Sequence, residues 1–180
     1  MKMSLPDMSN VDFAAAYDKL QSLPAGLGSK AFAVVAGLYV PHAARMGFRV
    51  HNLSKRSIAV VMPDKRANRN HLRSLHAMAL AHLGEFTTGL LLLYAVSSDR
   101  YRTILVKYEI EFLHKARGPI TARATLELPK PKGKAGQKKG NAAAQGLDKA
   151  DVVVVAELTD ERGTLVARTT ATWRVGKIPS

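Results

Sequence analysis

Glu85 is the one formal charge in an otherwise nearly unbroken apolar run from Met78 to Val96. A helix apolar on nearly every side must be enclosed by the rest of its fold. A carboxylate is rarely buried without a partner, because desolvating its charge is costly. Glu85 is therefore either half of a structural pair or a working group. Held ionised, it can serve as a general base for water or as a nucleophile. The structural alternative is neutralisation by His82, one turn earlier, or by an arginine from a strand. Burial would raise its pKa and nearby donors would lower it.

The start of the same helix offers a second chemical element. A helix N-terminus presents unpaired amides and a partial positive charge. A start near Leu75 or His76 would point the Ala77 and Met78 amides outward, where they could polarise a carbonyl oxygen. His76 can orient a substrate there, or simply cap the helix. His82 and Thr88 flank Glu85 at three-residue spacing and share its stripe. A substrate along the helix could place its carbonyl at the amides and its scissile carbon near the carboxylate of a neighbouring subunit. His71, His76 and His82 lack a metal-ligand spacing, and no metal is expected. No Gly-rich phosphate loop and no Gly-x-Ser-x-Gly elbow occurs.

These residues need elements to hold them. Ser9 or Asn10 can cap a helix over Val11–Leu23, with Phe13, Ala16, Tyr17 and Leu20 on one face. Pro24-Ala25-Gly26 breaks it, and a second helical stretch covers Ser29–Val40 before Pro41. Phe48 and Val50, then Ile58, Val60 and Met62, alternate with polar or small residues and predict a hairpin. The long helix follows over 74–96, stopped by Ser97-Ser98-Asp99. Ile104, Val106, Tyr108, Ile110 and Phe112 alternate with Thr103, Lys107, Glu109 and Glu111, which predicts a strand with those apolar residues on its core face. Beyond Arg117-Gly118-Pro119 the inward pattern continues through Ile120, Ala122, Ala124, Leu126 and Leu128. Val152–Val155 and Leu165–Val175 predict two more strands joined at Asp160–Gly163. Antiparallel strands with one helix to cover predict an α+β fold, a strongly curved sheet wrapped around that helix. Residues 1–42 read as a helical extension and 43–180 as the main domain.

The chain has 180 residues, 47% of them hydrophobic, enough for one domain with a real core. It contains no cysteine, which removes disulfides and thiolate chemistry and suits a reducing compartment. The first ten residues lack an apolar core after their lysine, so no secretory signal is expected. The 78–96 run is long enough to span a membrane, yet Glu85, His82, Thr87 and Thr88 would sit at mid-bilayer, and a span is not expected. A net charge of +13 points to an anionic partner. Part of it lies in a Lys/Gly-rich stretch, Pro129–Gly146, within a flexible insertion placed at 129–150. That stretch has no aromatic residue, so it would support only weak, sequence-blind contact with nucleic acid.

Asn70-His71-Leu72-Arg73-Ser74-Leu75-His76-Ala77, continuing through Glu85, resembles the core motif of hotdog-fold acyl-CoA thioesterases. It is closest to the branch classed as a domain of unknown function with a tentative thioesterase assignment. That motif carries an Asn, a short loop, a His, two small residues and an acid nine positions after the His. The resemblance covers about Met46–Val175, apart from the insertion. It implies a hotdog fold paired into homodimers or homotetramers, with sites at the dimer interface. It makes Glu85 the catalytic acid and the Ala77 amide the carbonyl-polarising donor, with Asn70 and His76 shaping the entrance. The implied substrate is acyl-CoA or an acyl carrier protein, with coenzyme A as part of the substrate and no separate cofactor, in the cytoplasm. Met78, His82, Thr88 and Arg73 would line the substrate site, and Arg100, Arg102, Arg117 and Arg123 would meet the coenzyme phosphates. The chain departs from the pattern where glycines usually follow the His, with Ala77 and Met78 there instead, and where Arg73 replaces a loop glycine. A non-catalytic acyl-CoA or fatty-acid binder of the same architecture is the rival reading.

Overall fold

The protein is described by a computed structural model that covers residues 13–21, 27–28, 35, 40–96, 101–128 and 150–178. The Ser9/Asn10 cap, most of the Ser29–Val40 helix, the Ser97–Asp99 stop, Arg100 and the Pro129–Gly146 stretch lie outside the described residues. In chain order the described elements are α1 (Phe13–Gln21), α2 (Pro41–Met46), β1 (Arg49–Leu53), β2 (Ser57–Met62), a short 3-10 turn (Arg66–Asn68), α3 (Ala77–Ala95), β3 (Tyr101–Phe112), β4 (Ile120–Thr125), β5 (Ala150–Thr159) and β6 (Leu165–Lys177).

The strands form one antiparallel sheet in the order β1-β2-β4-β5-β6-β3. Helix α3 packs against β2, β3, β4, β5 and β6, so the sheet curves around it. Alternation in β4, in β5 and in β6 beyond Ala167 puts Ile120, Ala122, Ala124, Val152, Val154, Ala156, Leu158, Ala171, Trp173 and Val175 against the helix. The α+β hotdog architecture implied by the sequence is the observed one. By length and composition α3 could cross a membrane, but 67% of its apolar window is buried within the fold, as befits a core helix.

The inward pattern assigned to β3 needs correction. Ile104, Val106 and Phe112 are 61%, 43% and 47% exposed. The β3–β6 register shifts between Leu105 and Lys107, a β-bulge that consumes one residue and reverses the facing of what precedes it. Before the bulge Thr103 and Leu105 turn inward; after it Tyr108 and Ile110 do. The N-terminal region also does more than flank the core. Tyr17 of α1 is buried and meets Tyr94 edge-on at 5.6 Å, while the Tyr94 hydroxyl donates to Asp18 at 2.6 Å.

Two glycines let α3 sit close to the sheet. A Cβ on Gly84 would lie 2.5 Å from Thr169 Cγ2 and 2.8 Å from the Tyr108 hydroxyl. A Cβ on Gly89 would lie 2.8 Å from the Trp173 ring. Alanine gains about 1 kcal/mol of helix propensity over glycine, but overpacking a tight core costs about 1–3 kcal/mol. The clash should win at Gly84, because Thr169 is fully buried and cannot retreat. Gly84→Ala should lose about 1–2 kcal/mol in urea denaturation; an unchanged midpoint would mean that the sheet yields there.

Candidate active site

Glu85 sits midway along α3, its side chain 35% exposed. It lines an open apolar pocket of about 240 Å³ with Val40, Phe86, Gly89, Leu90, Leu93, Thr103 and Trp173. Thr103 reaches the pocket because of the β3 bulge, so a residue assigned to the outer face belongs to the site. Burial raises the Glu85 pKa. Among the described residues the basic group in contact with it is His82, whose Nε2 lies 3.9 Å from Glu85 Oε2. Desolvation, reinforced by the neighbouring His42, pushes His82 down to about 4. His82 is thus neutral at physiological pH, and the contact is not an ion pair. No arginine pairs with Glu85 among the described residues.

His82 is held by a residue that the sequence reading did not single out. His42 Nδ1 of α2 lies 2.7 Å from His82 Nδ1, and the two rings are tilted against each other at 4.4 Å. Phe48 and Phe86 close over the His82 ring at 5.1 and 6.4 Å. The two histidines are forty residues apart, so local spacing carries no signal of the pair. Tyr108 approaches Glu85 from β3. Its hydroxyl donates to the Ala81 carbonyl at 2.6 Å, and its pKa is raised, first by burial.

Thr88 is fully buried and structural. Its hydroxyl donates to the Glu85 carbonyl at 3.0 Å and accepts the Trp173 indole N–H at 3.2 Å. It thereby fixes Trp173, a pocket wall, without facing the pocket itself.

At the helix start His76 is the N-cap, its Nδ1 accepting the Met78 amide at 3.0 Å. The Met78 amide is therefore occupied, a correction to the pair of free amides expected there. The Ala77 amide has no acceptor among the described residues. The Met78 side chain is 60% exposed beside it. Asn70 organises the preceding loop, its Oδ1 accepting from the Leu72 and Ser74 amides at 2.9 and 3.2 Å. That loop forces Arg73 to φ 54°, in the left-handed region where a side chain is strained. The position where the resemblance leads to the expectation of glycine thus has a backbone suited to glycine. Arg73→Gly should relieve up to about 1 kcal/mol, read as a rise in Tm; a fall would show that the Arg73 side chain makes a contact that matters. Asn68 was also missed. It is buried, its side-chain amide donates to the Met46 and Pro63 carbonyls at 3.0 and 3.1 Å, and its backbone carbonyl accepts the His76 amide at 2.8 Å. It anchors the start of α3.

The basic residues separate. Arg117 stands near the helix start, because the Ala116 carbonyl accepts the Leu75 amide at 3.0 Å. With Lys115, Gly118, Asp160, Glu161 and Arg162 it lines a polar depression of about 370 Å³. Arg102 and Arg123 are exposed at positions alternating with the inward residues of β3 and β4, so they lie on the far side of the sheet from α3. Arg123 there reaches Thr159 Oγ1 at 3.3 Å.

Ala77 and Glu85 lie eight residues apart on one helix, about 12 Å along its axis. They cannot both touch one thioester carbonyl within a single chain.

The solved structures similar to this chain share its fold. A protein of unknown function from Pseudomonas aeruginosa, described as a probable thioesterase, is 25% identical, with a TM-score of 0.66 over 80% of this chain and 92% of that one. A thioesterase family protein from Silicibacter pomeroyi is 18% identical, with a TM-score of 0.63 over 81% and 96%. A thioesterase from Haemophilus influenzae is 16% identical, with a TM-score of 0.61 over 77% and 85%. No curated protein matches the chain. The family model described as a domain of unknown function, DUF4442, matches residues 28–175, and the chain belongs to that family.

Proposed function

We propose that the protein hydrolyses acyl thioesters, of coenzyme A or an acyl carrier protein, at a site completed by a second copy of the chain. The observation that carries this reading is Glu85, unpaired by any cation among the described residues and set at the edge of an apolar pocket. The Ala77 amide of one protomer polarises the thioester carbonyl while Glu85 of its partner faces the carbonyl carbon. Glu85 takes a proton from water, the hydroxide adds to that carbon, and the oxyanion rests on the amide. Collapse breaks the C–S bond, the proton returns to the leaving thiolate, and a carboxylic acid and a free thiol depart. Direct attack by Glu85 would instead form an anhydride that water opens.

The 12 Å between the two groups favours a shared site. Strand β3 is a 12-residue edge strand with exposed Ile104, Val106 and Phe112, the kind of edge that recruits another strand. Arg117 and Lys115, beside the helix start, are suited to the coenzyme phosphates. The acyl tail takes the pocket between Phe86, Leu90, Leu93 and Trp173. The test is hydrolysis of acyl-coenzyme A thioesters of graded length by wild type and Glu85→Gln.

One observation favours a second reading, a non-catalytic acyl binder: His76 occupies the Met78 amide, leaving a single donor for the oxyanion. Tight binding by calorimetry without turnover would select it.

A further inference from the structure

We propose that His42 is a positioning residue: its Nδ1–H donates to His82 Nδ1, fixing the His82 proton on Nε2, where it faces Glu85. The inference rests on the reading of Glu85 as the catalytic base, but its core is a tautomer that can be observed without turnover.

The two Nδ1 atoms are 2.7 Å apart, so one must carry the proton and the other accept it. Two arrangements are possible. If His82 donated, its Nε2 would be a bare lone pair facing the Glu85 carboxylate at 3.9 Å. Lone pair would then oppose anion in a half-buried setting, where such repulsion is poorly screened. If His42 donates, His82 turns an N–H dipole toward the carboxylate instead. Electrostatics selects the second. The bond made by one imidazole nitrogen sets which state the other nitrogen presents.

The surroundings leave His82 little freedom. Among the described residues, the titratable groups facing it are His42 from α2 and Glu85 from its own helix. Phe48 and Phe86 enclose it with rings. Tyr108, from β3, faces Glu85 rather than His82 and gives its proton to the Ala81 carbonyl. His82 is neutral at working pH. It therefore acts through its tautomer, not through charge. Its N–H dipole favours the ionised form of Glu85 and opposes the burial that would protonate it.

Nitrogen-15 NMR of the imidazoles at neutral pH reads the tautomer directly. In the wild type, His82 should carry its proton on Nε2. His42→Asn keeps a donor near the position of Nδ1 and should preserve both this tautomer and the pH–rate profile. His42→Phe keeps a ring but removes the donor. His82 should keep its Nε2 proton, which Glu85 favours, but its Nδ1 resonance should lose the shift of a hydrogen-bonded acceptor, kcat/KM should fall about tenfold as the ring is no longer aimed, and the acid limb of the profile should move to higher pH. A wild-type His82 protonated on Nδ1 overturns the proposal, whatever the activity. So does a His42→Phe variant with an unchanged Nδ1 resonance and acid limb. If His42→Phe does not fold, the wild-type and His42→Asn spectra still decide. A wild type with the Nε2–H tautomer that hydrolyses no thioester removes the proposed function and leaves the tautomer in place.

Discussion

Glu85→Gln should lower kcat/KM for thioester hydrolysis by at least about a hundredfold while leaving the fold at least as stable as the wild type at neutral pH. Glutamine matches the shape of glutamate but can neither take a proton from water nor attack a carbonyl. The stability half of the expectation follows from the direction of the pKa shift. Burial raises the Glu85 carboxyl, so the folded state favours its neutral form. As pH rises from the ordinary carboxylate range through the raised folded value, the wild type loses stability as this charge forms inside the fold. Glutamine removes that loss. The gain should be modest, because a side chain 35% exposed is partly screened by water. Melts at pH 4 and pH 7.5, with hydrolysis assays on the same preparations, check both halves. A variant as fast as the wild type dismisses Glu85 as the base. A variant that melts much lower at pH 7.5 shows instead that the carboxylate holds the fold together.

An activity lost without stability lost is the pattern of a group kept for function at some cost to folding. The other buried polar groups of α3 differ. The Thr87 hydroxyl donates to the Leu83 carbonyl at 2.6 Å, and Thr88 bridges the helix to Trp173. Both are satisfied locally, as buried polar groups normally are. Glu85 opens onto a pocket instead.

The readable parts of the chain were those governed by local repetition. A helix expected at 74–96 is found at Ala77–Ala95, and the inward residues expected of β4, and of β6 from Ala167 onward, are buried. Glu85 stood out because one charge in an apolar helix is a local anomaly. Where an extra residue or a distant partner decides, local pattern fails. The β3 bulge adds one residue to a strand whose apolar residues still alternate, so Ile104 reads as core although it faces out. His42 reads as an ordinary polar residue, since its partner lies elsewhere in the chain. Gly84 and Gly89 carry no signal in the sequence, and their purpose shows once Thr169 and Trp173 are packed against them. The Met78 amide reads as free until the His76 ring is placed upon it.

Acidification from pH 6.5 to 4 should destabilise the protein by up to about 3 kcal/mol through His82. The unfolded chain takes up a proton at the ordinary histidine value of 6.5, while the folded site resists until about 4. Between those values the unfolded state binds more protons, so stability falls as pH falls. Glu85 works in the opposite direction, because regaining its proton relieves the cost of its burial. The large His82 shift, on a side chain only 13% exposed, should outweigh it. The carboxyls of Asp64, Asp151 and Asp160 are held below their ordinary value of 3.8 by hydrogen bonds, so their losses begin at the acid edge of this window and fall mostly below it, alike in wild type and both variants. Two variants separate the terms. His82→Phe, entering a site already walled by Phe48 and Phe86, should flatten stability across pH 6.5–4. Glu85→Gln should steepen it, because the opposing term is gone. Urea midpoints at half-unit steps of pH measure both slopes. Equal slopes in wild type and His82→Phe would mean that His82 protonates freely in the folded state, and that its contact with His42 does not bury it.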